Sequence, residues 1–97
     1  MGAEYWLVCR DCKTKRCLGK LDVDYGGVDP HTNVRRMLAS PTVREAVRKL
    51  IDEGYTVVHQ VASALEFLEK HAGHQVELLW EIAYDEDDEA KEEYTEE

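Results

Sequence analysis

Glu4-Tyr5-Trp6-Leu7-Val8-Cys9-Arg10-Asp11-Cys12 decides how this chain is read. Its first five residues, aromatic and branched, favour an extended strand. The strand runs into two cysteines with two residues between them. That spacing lets both thiolates converge on one metal ion from a tight turn. Downstream, Lys15-Arg16-Cys17-Leu18-Gly19-Lys20-Leu21 fits an antiparallel return strand, which sets Cys9 and Cys12 at the tip of a hairpin.

A second pair stands far along the chain, in His71-Ala72-Gly73-His74. Two thiolates and two imidazoles make a complete tetrahedral ligand set for one zinc ion, so Cys9, Cys12, His71 and His74 are the candidate metal ligands. Cys17 has two readings: a third thiolate replacing one histidine, or a small apolar residue packing on the second strand. Packing is preferred. His31 and His59 have no partner at ligand spacing and read as solvated or capping residues.

Between the pairs, Asp22 to Asn33 contains Gly26-Gly27 and Asp29-Pro30 and reads as a loop. Val34 to Ala39 fits a short helical turn. A helix is expected over 41–53, with Ser40 as N-cap, Pro41 at the first position, an apolar stripe of Val43, Val47, Leu50 and Ile51, and Gly54 as the stop. A second helix, starting at 59 or 63 and reaching 71, carries Val61, Leu65 and Leu68 on one face. Ser63 with Glu66 resembles a capping box there, and Gly73 suits the helix end. Tyr55 to Val58 stays open between extended piece and linker. Gln75 to Ala83 alternates as a strand, with Val76, Leu78, Trp80 and Ile82 on one side. The layout predicts an α+β fold: a small antiparallel sheet, made of the knuckle hairpin and the late strand, with two main helices.

Charge is unevenly spread. Residues 85–97 hold nine acids and one base, which accounts for eight of the nine net negative charges. Such a block, with few apolar residues, is expected to form a disordered acidic tail beyond a metal-binding domain at 1–84. A domain of that size buries a thin core. A structural zinc ion, worth ~10–16 kcal/mol in finger peptides, would then contribute heavily to folding.

Several function classes find no support in the residues. Glu77 and Glu81 follow the histidine pair on a strand and do not make the helical HExxH of a metalloprotease. No phosphate-cradling Gly-rich loop or nucleophile elbow is present, so no enzyme is expected. A redox CxxC would sit at a helix start within a βαβ unit, not between two strands. Met1 to Trp6 lacks a basic n-region and an apolar core, and no run approaches a membrane span. With an odd cysteine count, these features predict a cytoplasmic, metal-binding chain.

The hairpin knuckle followed by a helix ending in two histidines resembles a two-cysteine, two-histidine zinc finger over residues 4–21 and 61–74. It departs in having 58 residues between Cys12 and His71, where fingers have about a dozen, and two residues between the histidines. The whole chain is also similar to small uncharacterised zinc-ribbon-like bacterial or archaeal proteins that pair an early CxxC with a late HxGH. The matching residues are Cys9, Cys12, Phe67, Leu68, His71, Gly73 and His74. The resemblance implies a metal, not an activity.

The expected role is a structural-zinc module that binds another protein. The alternative is nucleic-acid binding by the knuckle, through Arg10, Lys13, Lys15, Arg16 and Lys20 with Tyr5 and Trp6 nearby for stacking. A second basic group, Arg35, Arg36, Arg44, Arg48 and Lys49, lies on or beside the first helix. The partner's identity and the oligomeric state are not encoded in any motif.

Overall fold

A computed structural model describes residues 4–20 and 30–97. The chain forms β1 (Glu4–Cys9), β2 (Thr14–Lys20), α1 (Pro30–Ala39), α2 (Pro41–Asp52), α3 (His59–Lys70), β3 (Val76–Trp80), α4 (Glu81–Glu86), a π-helical turn (Glu89–Glu93) and β4 (Thr95–Glu96). The fold is α+β, around a four-stranded sheet of order β3-β1-β2-β4. β1 runs antiparallel to β2 and β3, whereas β4, absent from the sequence reading, joins β2 in parallel. The sheet is therefore mixed.

Both faces of the central strand are covered. Leu7 and Cys9 point with Leu18 into the larger core, against Val34 and Met37 of α1 and Val61, Ala64, Leu65, Phe67 and Leu68 of α3. Val8, on the opposite face, packs with Tyr84, Ala90 and Tyr94, and Trp6 and Leu79 border that cluster. Alternation in β1 thus sends apolar residues both ways, the signature of a strand buried on two sides. A bulge in β2 beside Tyr5 and Trp6 carries Gly19 at φ 72°, a backbone region natural to glycine.

The loop expected over 22–33 falls partly on residues 21–29, including Gly26-Gly27 and Asp29, which lie outside the described residues. From Pro30 onward the chain is helical, and α1 is longer than the turn expected at 34–39, because Pro30, Val34 and Met37 are all buried. Pro41 bars Ser40 from helical ψ and holds it extended (φ −138°, ψ 116°), which separates α1 from α2. Ser40 occupies the N-cap position, though its side chain makes no capping bond. In α2, Val43, Val47 and Ile51 lean on the core while Leu50 faces outward. Gly54 follows at φ 92°.

Three expectations need correction. α3 starts at His59, so Ser63 and Glu66 lie inside the helix and form no capping box; both instead bind Arg16 of β2. The late strand stops at Trp80, since the next residues turn into α4 and carry Tyr84 back to stack on Trp6, with ring centroids 4.3 Å apart. Residues 85–97, read from composition as a disordered tail, form the third layer. Ala90 and Tyr94 are buried there, and Asp87 pairs with Arg10 at 2.7 Å. A few apolar anchors and one ion-pair network hold a segment that its net charge alone would leave unpacked.

Candidate metal centre

Four chain segments meet at one end of the sheet. β1 delivers Cys9, the hairpin turn presents Cys12, α3 ends at His71, and the turn into β3 carries His74. Register makes this meeting obligatory: Cys9 lies opposite Thr14 on one side and Val76 on the other. Arg10 N–H donates to the Gln75 carbonyl (2.9 Å), and Gln75 N–H donates to Asp11 Oδ2 (2.7 Å), so the knuckle and the histidine turn are tied together. Gly73 sits at φ 83°, which lets the chain leave α3 sharply and return His74 toward the cysteines.

Candidate ligand atoms of Cys9, Cys12, His71 and His74 all lie within 4.8 Å of one another, an arrangement able to hold a metal ion. His74 Nδ1 is 3.2 Å from Cys12 Sγ and 3.6 Å from Cys9 Sγ. Bonds of ~2.3 Å to sulfur and ~2.0 Å to nitrogen at tetrahedral angles put such atoms ~3.5 Å apart. The Cys12 backbone N–H donates to Cys9 Sγ at 3.4 Å.

His71 supplies the more telling geometry. Its ring is buried, and Nε2 lies 2.6 Å from Glu97 Oε2. Burial alone would push the Glu97 carboxyl up, but Lys70 and His71 beside it hold it down at about 2. Glu97 lies on the Nε2 side of the ring, and a neutral imidazole donating to it from Nε2 would present its lone pair at Nδ1. That Nδ1 is buried and without a hydrogen-bond partner among the described residues. A buried nitrogen stripped of partners costs about 1–3 kcal/mol. A cation bound beside it removes that cost, and a carboxylate on the far nitrogen is the usual support of a metal-bound imidazole. The donor set fits a metal.

Local desolvation, the hydrogen bond with Cys9, and the charges of Cys9, Asp11 and Glu97 all raise the Cys12 thiol. A redox CxxC needs the reverse, a thiolate favoured by its surroundings. A bound cation would overturn this bias and deprotonate the thiols outright.

No protein-family model matches the chain, and neither a curated protein nor a solved structure matches it. Cys17 stands outside the four-residue cluster; it is half-buried opposite Trp6, its thiol raised chiefly by burial. His31 rests against the Tyr5 ring and accepts from Arg35, while His59 is exposed at the start of α3.

Of the five knuckle bases, three are engaged within the fold. Arg10 binds Glu77, Asp87 and the Tyr94 hydroxyl. Lys15 is buried, its Nζ donating to Tyr84 Oη (2.7 Å) and the Lys91 carbonyl (3.0 Å). Arg16 donates to the Ser63 carbonyl and pairs with Glu66 over the Phe67 ring. Lys13 and Lys20 remain exposed. In the second basic group, Arg44 donates to the Met37 carbonyl and Arg48 pairs with Glu69. Among the described residues no helix is long and apolar enough to cross a membrane.

Sequence reasoning missed Glu97, which carries no motif and sits in a run of acids. The available signal lay elsewhere: Trp6 and Val8 leave the sheet with a second apolar face that something must cover.

Proposed function

We propose that this chain is a zinc-binding domain whose metal is structural, serving as a module that binds another protein. The observation that carries the metal reading is the His71 imidazole: its Nε2 is occupied by Glu97, and its buried Nδ1 is left for the cluster. Zinc is favoured by two thiolates with two imidazoles in near-tetrahedral spacing. Four protein ligands leave no open coordination position, which supports a structural ion over a catalytic one. Support for a partner comes from the surface. Trp80 is 45% exposed and Ile82 51% exposed, two positions apart where β3 gives way to α4. Exposed large apolar side chains on a small domain favour protein contact.

Nucleic-acid binding by the knuckle draws less support, because Arg10, Lys15 and Arg16 spend their charges inside the fold. Cobalt substitution tests the closed site. The cobalt form should show the intense ligand-field bands of a tetrahedral thiolate centre, unchanged by added azide. Bands that shift with azide would reveal an open position and overturn the structural reading. For the module, Trp80→Ala should abolish recovery of a partner that wild type retains; a partner recovered equally by both would move the contact elsewhere.

A further inference from the structure

Residues 84–97 have no net reason to fold by charge, yet they pack on the face of the sheet that carries Trp6 and Val8. Tyr84, Ala90 and Tyr94 sit on Val8 and Trp6, and Lys15 Nζ reaches across to Tyr84 and Lys91. The segment then continues to the knuckle itself. Thr95 N–H donates to the Lys13 carbonyl (3.0 Å), and Glu97 N–H donates to the Lys15 carbonyl (2.8 Å). Its last contact is with a candidate ligand: Glu97 bridges His71 Nε2 (2.6 Å) and Lys70 Nζ (2.9 Å).

Lys13 is the weak point of this arrangement. It directly follows Cys12 and holds φ 55°, a conformation that costs a non-glycine residue free energy and persists only when its surroundings enforce it. Two constraints bear on that turn: the Cys9–Cys12 site on one side and β4 on the other. The His71 ring is held at Nε2 by Glu97, and a metal at the cluster would hold it at Nδ1 as well. Whatever fixes the turn and the ring from the metal side prepares the acceptors and donors that β4 and Glu97 use.

We infer that occupation of the Cys9–Cys12–His71–His74 site and docking of residues 84–97 on the sheet are coupled, with Glu97 as the positioning residue between them. The inference rests on the metal reading above and adds a regulation to it. Metal binding closes the sheet face of Trp6, Val8 and Lys15, and metal loss opens that apolar and basic surface. Linkage makes the effect reciprocal: the factor by which docking tightens metal binding equals the factor by which metal tightens docking.

Two measurements on the full chain test this. Zinc affinity is read by competition with a chromophoric chelator for wild type, Glu97→Gln and Glu96→Gln, the last altering an exposed neighbour on β4. Glu97→Gln should still bind one zinc, with affinity ~10–100-fold weaker, the range found when an outer-shell partner of a metal-bound histidine is removed. Glu96→Gln should stay within about twofold of wild type. On wild type alone, hydrogen exchange at the Thr95 and Glu97 amides should slow at least about tenfold when zinc is added, matching the coupling factor. Equal zinc affinity in Glu97→Gln, or amide exchange indifferent to zinc, would overturn the coupling while leaving the metal site standing. A wild-type chain that binds no zinc would overturn the site and the coupling with it.

Discussion

Cys12 Sγ and His74 Nδ1 stand 3.2 Å apart although they are 62 positions apart along the chain. Their neighbours Cys9 and His71 meet in the same cluster, so a metal here would staple the hairpin to the end of α3. Cys12→Ser should therefore abolish zinc binding and lower thermal stability sharply, because much of the binding free energy of a structural zinc is folding free energy. Cys17→Ala should leave one zinc per chain and cost about 1 kcal/mol, as for a small half-buried packing residue. Native mass spectrometry with thermal melts checks both. Loss of zinc on Cys17→Ala, with retention on His74→Ala, would reassign the ligands.

Acidification should release the metal before it unfolds the apo chain. Binding requires deprotonated thiols and neutral imidazoles, so each proton regained competes with zinc, and affinity should fall steadily as pH drops below neutrality. A chelator-competition series across pH measures this. An affinity flat in pH would mean that carboxylates, not Cys9, Cys12, His71 and His74, hold the ion.

Asp87 governs a second, more acidic step. Its hydrogen bond with Arg10, helped by the Ala90 amide, holds its carboxyl below the ordinary value of 3.8. A carboxyl depressed by folding adds stability that is fully present above its unfolded pKa and is lost as pH falls through the folded one. The acid limb of the stability curve below about pH 4 should therefore be shallower in Asp87→Asn than in wild type, with denaturant unfolding of the metal-free chain as the readout. Coincident limbs would show that the Arg10–Asp87 pair carries no net stability.

Tyr94 is 5% exposed, packed in the cluster with Val8 and Ala90, and its hydroxyl donates to Glu89. Removing a buried aromatic ring typically costs ~3–5 kcal/mol. Tyr94→Ala should accordingly lower the melting temperature by roughly 15 °C in a domain of this size. A shift of only one or two degrees would return residues 85–97 to the disordered state that their composition suggests.

The sequence made the hairpin, the knuckle, α2 and α3 legible because each rests on short-range rules: strand-forming residues before a CxxC, a proline at a helix start, an apolar stripe ending at glycine. The candidate ligand set was legible for the same reason, as two i, i+3 pairs. What escaped depends on contacts between distant residues. Leu79 and Trp80 continue an alternating pattern, but the chain turns at Glu81 because Tyr84 gains a stacking partner in Trp6. Nine acids hid the anchors Ala90 and Tyr94 within 85–97, and nothing local marks Glu97 as the partner of His71. Lys15 reads as a surface base, yet the two hydrogen bonds that permit its burial come from residues about seventy positions away.

X-ray absorption at the zinc edge of the purified, zinc-loaded chain reads the ligand atoms themselves. The spectrum should show a first shell of two sulfurs at ~2.3 Å and two nitrogens at ~2.0–2.1 Å, with outer-shell scattering from two imidazole rings. A shell of three sulfurs and one nitrogen, or one dominated by oxygen, would contradict the site formed by Cys9, Cys12, His71 and His74.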